Sequence, residues 1–245
     1  MPTGIEPKSV SFNVGFRGKP QAFSCFDTEI IRKISNDIFQ GVTYPLFKHI
    51  SDVNCVVDIG ANVGAATVLF ANTYVDARIV AFEPAPDSFQ LLSKNTESIP
   101  EVEVYPYGLF DADKEATLYQ GKEDSATRSL ARGPQSAPDG ETIVLKDAAK
   151  CFNALSIEKI DILKLDTEGA ECKILLSIER MLPQIPIIYI EFHSEEDRRL
   201  IDALLSPSHR LSVAKINVPH RGDVTYVAKD ILRGWPGVED YKIVL

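Results

Sequence analysis

The stretch Asn54-Cys55-Val56-Val57-Asp58-Ile59-Gly60-Ala61-Asn62-Val63-Gly64 constrains this chain more than any other. Cys55 to Ile59 is a short apolar run that reads as a buried strand, and Ala65 to Asn72 reads as a helix. Between them, Gly60, Asn62 and Gly64 make a turn whose backbone can approach a ligand closely and point its N–H groups outward. Arg78 to Phe82 is a second apolar run, and it ends on the carboxylate of Glu83, followed by Pro84. This order of strand, glycine turn, helix, strand and acid suits an adenosine-containing cofactor. A carboxylate ending the second strand can accept hydrogen bonds from both ribose hydroxyls.

The turn also says which adenosine cofactor. A dinucleotide fingerprint opened by Gly60 needs glycine at position 62, which is Asn62. Asp58 stands two residues before Gly60. S-adenosylmethionine has no pyrophosphate to hold but carries an ammonium group, which an acid at the end of the first strand can meet directly or through water. Asn62 tolerates a left-handed backbone at such a turn. These features favour S-adenosylmethionine over NAD.

Bulk composition agrees with an enzyme of this kind. With 245 residues, 44% of them hydrophobic, the chain can bury a sizeable core as one domain. A net charge of −9 argues against a nucleic-acid partner. No apolar run is long enough to span a bilayer, and Met1-Pro2-Thr3-Gly4-Ile5-Glu6 lacks the basic and apolar regions of a signal peptide. Cys25, Cys55, Cys151 and Cys172 are isolated, so reduced thiols and a cytoplasmic location are expected.

Residues 1–26 read as an N-terminal extension, a small hairpin broken by Gly15, Gly18 and Pro20, and 27–245 as the main domain. Asp27-Thr28 can cap a helix in which Ile30, Ile31, Ile34 and Ile38 recur at helical spacing. Tyr44-Pro45-Leu46-Phe47 reads as a second helix starting at its proline. Asp87 to Asn95 is helical, Val102 to Tyr105 a third strand, and Ala116 to Tyr119 a short strand. Gly121 to Glu141 has little hydrophobic period and reads as a long loop: either a lid carrying Ser125, Thr127, Arg128 and Ser129, or an unordered segment. Ile160–Leu165 and the nearly all-apolar Ile185–Phe192 are further parallel strands, each followed by a helix, Glu171–Ile178 and Glu195–Leu205. Leu211–Ile216 and Val224–Ala228, with a turn at Pro219–Asp223, read as a hairpin at the sheet edge. The fold class is α/β, a doubly wound and mostly parallel sheet ending in an antiparallel hairpin.

Ile160 to Glu171 is the second informative segment. Lys164 sits in an apolar strand where an unpaired charge is costly, so a buried ion pair with Glu191 or Glu168 is expected. Asp166 and Glu168 cluster at that strand's carboxyl end, where open α/β sheets bind ligands. The next strand ends Ile190-Glu191-Phe192-His193, and alternation puts Glu191 and His193 on one face. Glu171 suits the positive end of a helix. His193 is either a hydrogen-bonded scaffold residue or a base. His49, His209 and His220 read as surface residues and Trp235 as a packing residue.

These segments resemble the FkbM family of S-adenosylmethionine-dependent methyltransferases. The resemblance rests on Val57 to Gly64, on Phe82-Glu83-Pro84, on the Ile160 to Glu171 segment and on Ile190-Glu191-Phe192-His193. It spans about residues 27–230 and implies a seven-stranded Rossmann-like class I methyltransferase domain acting on hydroxyls of sugars or polyketide-type natural products. It implies that Asp58, Gly60, Asn62 and Gly64, with Ala61 between them, hold the methionine part of the cofactor. Glu83, followed by Pro84, would hold the ribose, and Gly108 and Leu109 would lie near adenine. Thr43-Tyr44-Pro45 departs from many relatives, which have an acid there.

The chemistry expected is attack of an acceptor hydroxyl on the sulfonium methyl, chiefly a matter of positioning, with a base to remove the proton. Asp166 or His193 is the expected base, with Glu191 orienting His193 and Lys164 balancing charge. A divalent cation on Asp166 and Glu168 is compatible with the carboxylate density and not required by it. A small-molecule or glycan acceptor is the expected partner. Two other readings remain open on the sequence: an NAD-linked oxidoreductase, and a non-catalytic nucleotide-binding module.

Overall fold

A computed structural model describes residues 8–47, 50, 52–121, 128–129 and 136–232. The first elements are β1 (Ser9–Phe16) and β2 (Lys19–Phe26), paired antiparallel. Their two-residue turn, Arg17-Gly18, has positive φ at both positions (48° and 77°), the turn geometry that matches strand twist. α1 (Glu29–Phe39) begins at Thr28, whose hydroxyl accepts from the Ile31 amide. Ile31 and Ile38 of α1 are buried, while Ile30 and Ile34 stay exposed.

Alternating strands and helices follow: β3 (Cys55–Ile59), α2 (Ala65–Thr73), β4 (Arg78–Phe82), α3 (Pro86–Thr96) and β5 (Val102–Tyr105). A small separate sheet then forms from β6 (Gly108–Phe110), β7 (Lys114–Gly121), β8 (Arg128–Ser129) and β9 (Ser136–Asp147). The chain continues through α4 (Ala148–Ala154), β10 (Ile162–Leu165), α5 (Glu171–Ser177), β11 (Ile187–Phe192) and α6 (Glu195–Leu205). It ends, within the described residues, in β12 (His209–Val218), β13 (Arg221–Ala228) and α7 (Lys229–Leu232).

The main sheet has seven strands in the order β12-β13-β11-β10-β3-β4-β5. From β11 to β5 every neighbour is parallel, and β13 runs antiparallel to both β11 and β12. The order reverses between β3 and β10, so a ligand crevice is expected beyond the carboxyl ends of those two strands. The strands are apolar on both sides because both faces are covered. Val57, Val80, Leu163 and Ile188 pack on one side with α4, α5 and α6, while Val56, Ile79, Ile162 and Ile187 pack on the other with α1, α2 and the first hairpin.

One buried amide attaches that hairpin. Asn95 of α3 accepts from the Ser24 amide (2.7 Å) and donates to the carbonyls of Ser24 and Val63 (2.7 Å each). Asn95 thereby covers part of the outer edge of β2 and ties it to the glycine turn.

Several local expectations are corrected. Tyr44 to Phe47 is not helical. The Tyr44 ring instead packs against Phe70 and Tyr189, and the Tyr189 hydroxyl donates to the Pro45 carbonyl (2.7 Å), contacts that hold this passage open. Part of the loop expected at 121–141 is strand, since β9 already starts at Ser136 and pairs with β7. Gly140 permits this, because a Cβ there would lie 2.2 Å from Thr117 Cγ2. Ser125, Thr127, His49 and Trp235 lie outside the described residues. His209 is buried, not on the surface: Nε2 contacts the Ile185 carbonyl (2.7 Å) and Nδ1 the Ser208 hydroxyl (2.8 Å). The terminal hairpin turns more tightly than expected, with Val218 opposite Arg221, so Arg221 and Asp223 belong to β13.

Replacing Asn95 with leucine, which keeps the volume and removes all three hydrogen bonds, is expected to cost about 2–4 kcal/mol because buried backbone groups lose their partner. Urea unfolding measures this. An unchanged midpoint would show that the hairpin is held in some other way.

Candidate active site

Gly60 leaves β3 with φ 77°, and Asn62 and Gly64 also have positive φ (51° and 89°). A Cβ on Gly60 would lie 1.8 Å from the Asp166 carbonyl oxygen, so only glycine lets the ends of β3 and β10 approach this closely. The Gly60 and Ala61 amides both donate to the Phe82 carbonyl (2.9 and 3.0 Å), which draws the turn over β4. Glu83, directly after β4, is thereby fixed: Oε2 accepts from the Asn62 amide and Oε1 from the Ala85 amide, each at 2.8 Å. A carboxylate oxygen has a second lone pair beyond such a bond, and a ribose diol needs two acceptors so placed.

Asp58 and Lys164 lie beneath this turn, opposite each other in the β3–β10 register. Asp58 is fully buried, with Oδ2 accepting from the Thr67 hydroxyl (2.7 Å) and Oδ1 3.0 Å from Lys164 Nζ. Lys164 Nζ also donates to the Gly60 carbonyl (2.5 Å) and lies 3.8 Å from Asp166. Its partners are therefore Asp58 and Asp166, not Glu191 or Glu168 as expected. Burial alone would lower the lysine pKa, but Asp58 and Asp166 outweigh it and hold the amine above its ordinary value.

Beyond β10 the chain turns through Glu168 (φ 57°) and Gly169 into α5. Glu171, buried in the first turn, accepts from the amides of Thr167 (2.8 Å) and Gly169 (3.1 Å). His193 sits between carboxylates, Nε2 3.1 Å from Glu168 and Nδ1 3.3 Å from Glu171. Arg221 donates to Glu191 through Nε and to Glu168 through a terminal nitrogen, both at 2.7 Å. The turn expected at Pro219–Asp223 hides Arg221 from sequence reasoning; the two-residue turn at Pro219-His220 places it on the strand.

The charges decide the roles. Burial would lower the His193 pKa, but Glu168 and Glu171 push it up to about 11, which favours the imidazolium over a neutral base at neutral pH. Burial and then Asp166 push Glu191 up to about 8, with Arg221 holding it back. Burial likewise raises Asp223. Asp166, Glu191 and His193 each offer an atom within 4.8 Å of the others, the one such grouping among the described residues, and Glu168 is not part of it. Arg221 donates to Glu191 here, so the chain itself brings positive charge to this cluster.

A cavity of about 350 Å³ opens over the crevice. Gly60, Asn62, Glu83, Pro84, Gly108 and Leu109 line it, together with Asp166, Glu168 and Glu191. Asp58, Ala61, Gly64, Lys164 and His193 do not. Asp58 is engaged by Thr67 and Lys164 under the floor, and Gly64 packs on Leu92, where a Cβ would lie 2.8 Å from Cδ1. The fixed Glu83 carboxylate and the apolar wall of Pro84, Leu109 and Leu145 fit the ribose and adenine of S-adenosylmethionine.

Residues 58–211, more than half of the chain, match the family described as Methyltransferase FkbM domain. The chain belongs to that family. The matched segment, a methyltransferase domain by its description, contains the glycine turn, Glu83, Lys164 and Glu191. A curated relative is the AMB antimetabolite synthetase AmbE of Pseudomonas aeruginosa, 29% identical over 58% of this chain and 8% of that protein. The hexuronic acid methyltransferase AglP of Haloferax volcanii is 25% identical over 73% of this chain and 72% of its own. The solved structure of Aeropyrum pernix fibrillarin with bound S-adenosylmethionine aligns with a TM-score of 0.49 at 12% identity, covering 80% of this chain and 74% of that one.

In this FkbM-family chain the raised His193 pKa has a definite consequence for stability. The folded value of about 11 lies above the ordinary 6.5. The ion pairs therefore contribute fully below pH 6.5, and the contribution is lost as pH rises toward about 11. His193→Gln is expected to destabilise most at pH 6, with the gap from wild type closing in strongly alkaline buffer. NMR of the ring should show no titration between about pH 6 and 9. An ordinary titration midpoint there would restore the histidine as a base.

Proposed function

We propose that this chain methylates a hydroxyl of a sugar or natural-product acceptor, with the Asp166–Glu191 pair receiving the hydroxyl proton. The supporting observation is a carboxyl whose pKa is pushed up to about 8 in the same cavity as the glycine turn and Glu83. A base with a pKa near the working pH is the kind a weakly acidic hydroxyl requires. S-adenosylmethionine supplies, when bound, a methyl on a sulfonium that needs no further activation to leave.

The residues divide the remaining work. Gly60, Asn62 and Glu83 hold the donor in place. Asp166, whose backbone meets Gly60, lines the cavity, and it takes the ammonium role first expected of Asp58. Glu191 accepts the acceptor's proton, and Arg221 holds Glu191 in position. His193 stays charged and orients Glu168 and Glu171. A hexuronic acid methyltransferase among the relatives supports a sugar-like acceptor. Free thiols at Cys25, Cys55, Cys151 and Cys172 suit the reducing cytoplasm proposed for the protein.

Glu191→Gln is expected to lower kcat by about 10²–10⁴-fold while leaving S-adenosylhomocysteine affinity unchanged, and Asp166→Asn to weaken both. The wild-type rate should climb through about pH 8, because only the deprotonated Glu191 can accept a proton. Steady-state rates of S-adenosylhomocysteine release against a panel of hydroxylated acceptors measure this. A Glu191→Gln enzyme with a normal rate and pH profile would remove the base assignment.

A further inference from the structure

The cavity extends past the cofactor residues to a second end built by three elements, α1, β12 and β13, whose lining residues lie outside the family match. On one side α1 presents Ile30 and Ile34, exposed by 51% and 45% although both line the cavity. They lie one turn apart on a single helix face, next to the buried stripe of Ile31 and Ile38. Lys215 and Asn217 of β12 and Arg221 and Asp223 of β13 also line the cavity. All six residues fall outside 58–211. The shared core holds the donor, so these flanking residues are free to set the acceptor.

Their chemistry is lopsided. Asp166, Glu168, Glu191 and Asp223 bring four carboxyls to this end, against Arg221 and Lys215, while Lys33 and Asp37 of α1, which also line the cavity, pair with each other at 2.5 Å. Arg221 is engaged by Glu168 and Glu191 at 2.7 Å each. Asp223 accepts from the Asn217 amide at 2.8 Å. Burial raises both Glu191 and Asp223, and Asp166 adds to each shift. Hydroxyl donors satisfy such acceptors, whereas a carboxylate ligand would add to the repulsion. The isoleucine pair offers nothing polar and suits a hydrocarbon.

Resting on the hydroxyl-transfer reading above, we propose that the acceptor is a neutral, polyhydroxylated amphiphile. Its hydroxyl-bearing part lies against the acidic end, its apolar substituent lies on Ile30 and Ile34, and carboxylated sugars are disfavoured. This separates the chain from its relative named for hexuronic acid.

The test is calorimetric titration of protein loaded with S-adenosylhomocysteine with hexyl β-glucoside, methyl β-glucoside and hexyl β-glucuronide at neutral pH. Hexyl β-glucoside should bind about tenfold or more tightly than its methyl counterpart, from the apolar area buried, and about tenfold or more tightly than the glucuronide, from like-charge repulsion. Ile34→Ser should shrink the first difference alone, and Asp223→Asn the second alone. Equal or tighter binding of the glucuronide, indifference to the hexyl chain, or no binding of any of the three overturns the proposal. Failure of S-adenosylhomocysteine itself to bind would overturn the methyl-transfer reading and this inference with it.

Discussion

Lys164 carries a charge into the middle of a covered sheet, and the site is arranged around satisfying it. Its side chain is 3% exposed, and its amine meets Asp58 on the neighbouring strand, the Gly60 carbonyl and Asp166. Leaving one member of such a buried pair alone costs about 3–5 kcal/mol, so the three contacts are held as a unit. The same contacts set the close approach of Gly60 to the Asp166 backbone, which only glycine allows. From that approach follow the path of the turn, the Asn62 amide on Glu83, and the position of Asp166 at the cavity wall. The cofactor cradle is shaped from below by an ion pair that never touches the cavity.

A second charged group closes the other side. Arg221 arrives from β13, the antiparallel strand beside β11, and joins Glu191 at the end of β11 to Glu168 after β10. The edge hairpin is thereby part of the active-site wall as well as the end of the sheet. His193 lies between Glu168 (3.1 Å) and Glu171 (3.3 Å), on either side of the turn between β10 and α5. Positive charge from the chain steadies a set of carboxylates that would otherwise repel one another, while Asp166 and Glu191 remain open to the cavity.

The parallel core was legible because its residues obey one simple rule. Strands covered on both faces are continuous apolar runs, so β3, β4 and β11 could be read nearly to their ends. The Gly60 turn and Glu83 were legible because small residues and a strand-end acid have few other uses there. Burial partners were not legible. Asp58 read as a ligand because sequence shows its place along the strand, but not that Lys164 stands beside it in register. His193 reads as scaffold or base from sequence alone, because the pairing with Glu168 and Glu171 that favours its charged form joins residues remote in sequence. Arg221 was hidden by turn length, and the passage after Tyr44 by ring contacts with Phe70 and Tyr189 that no local pattern announces.

The central claim is that the turn and Glu83 together form a binding site for S-adenosylmethionine. Calorimetric titration with S-adenosylhomocysteine and, separately, with NAD tests it most directly, with Glu83→Ala as the comparison protein. The account predicts saturable one-to-one binding of S-adenosylhomocysteine that is lost or much weakened in Glu83→Ala, and no binding of NAD. Binding of NAD alone, or S-adenosylhomocysteine affinity indifferent to Glu83, would contradict it.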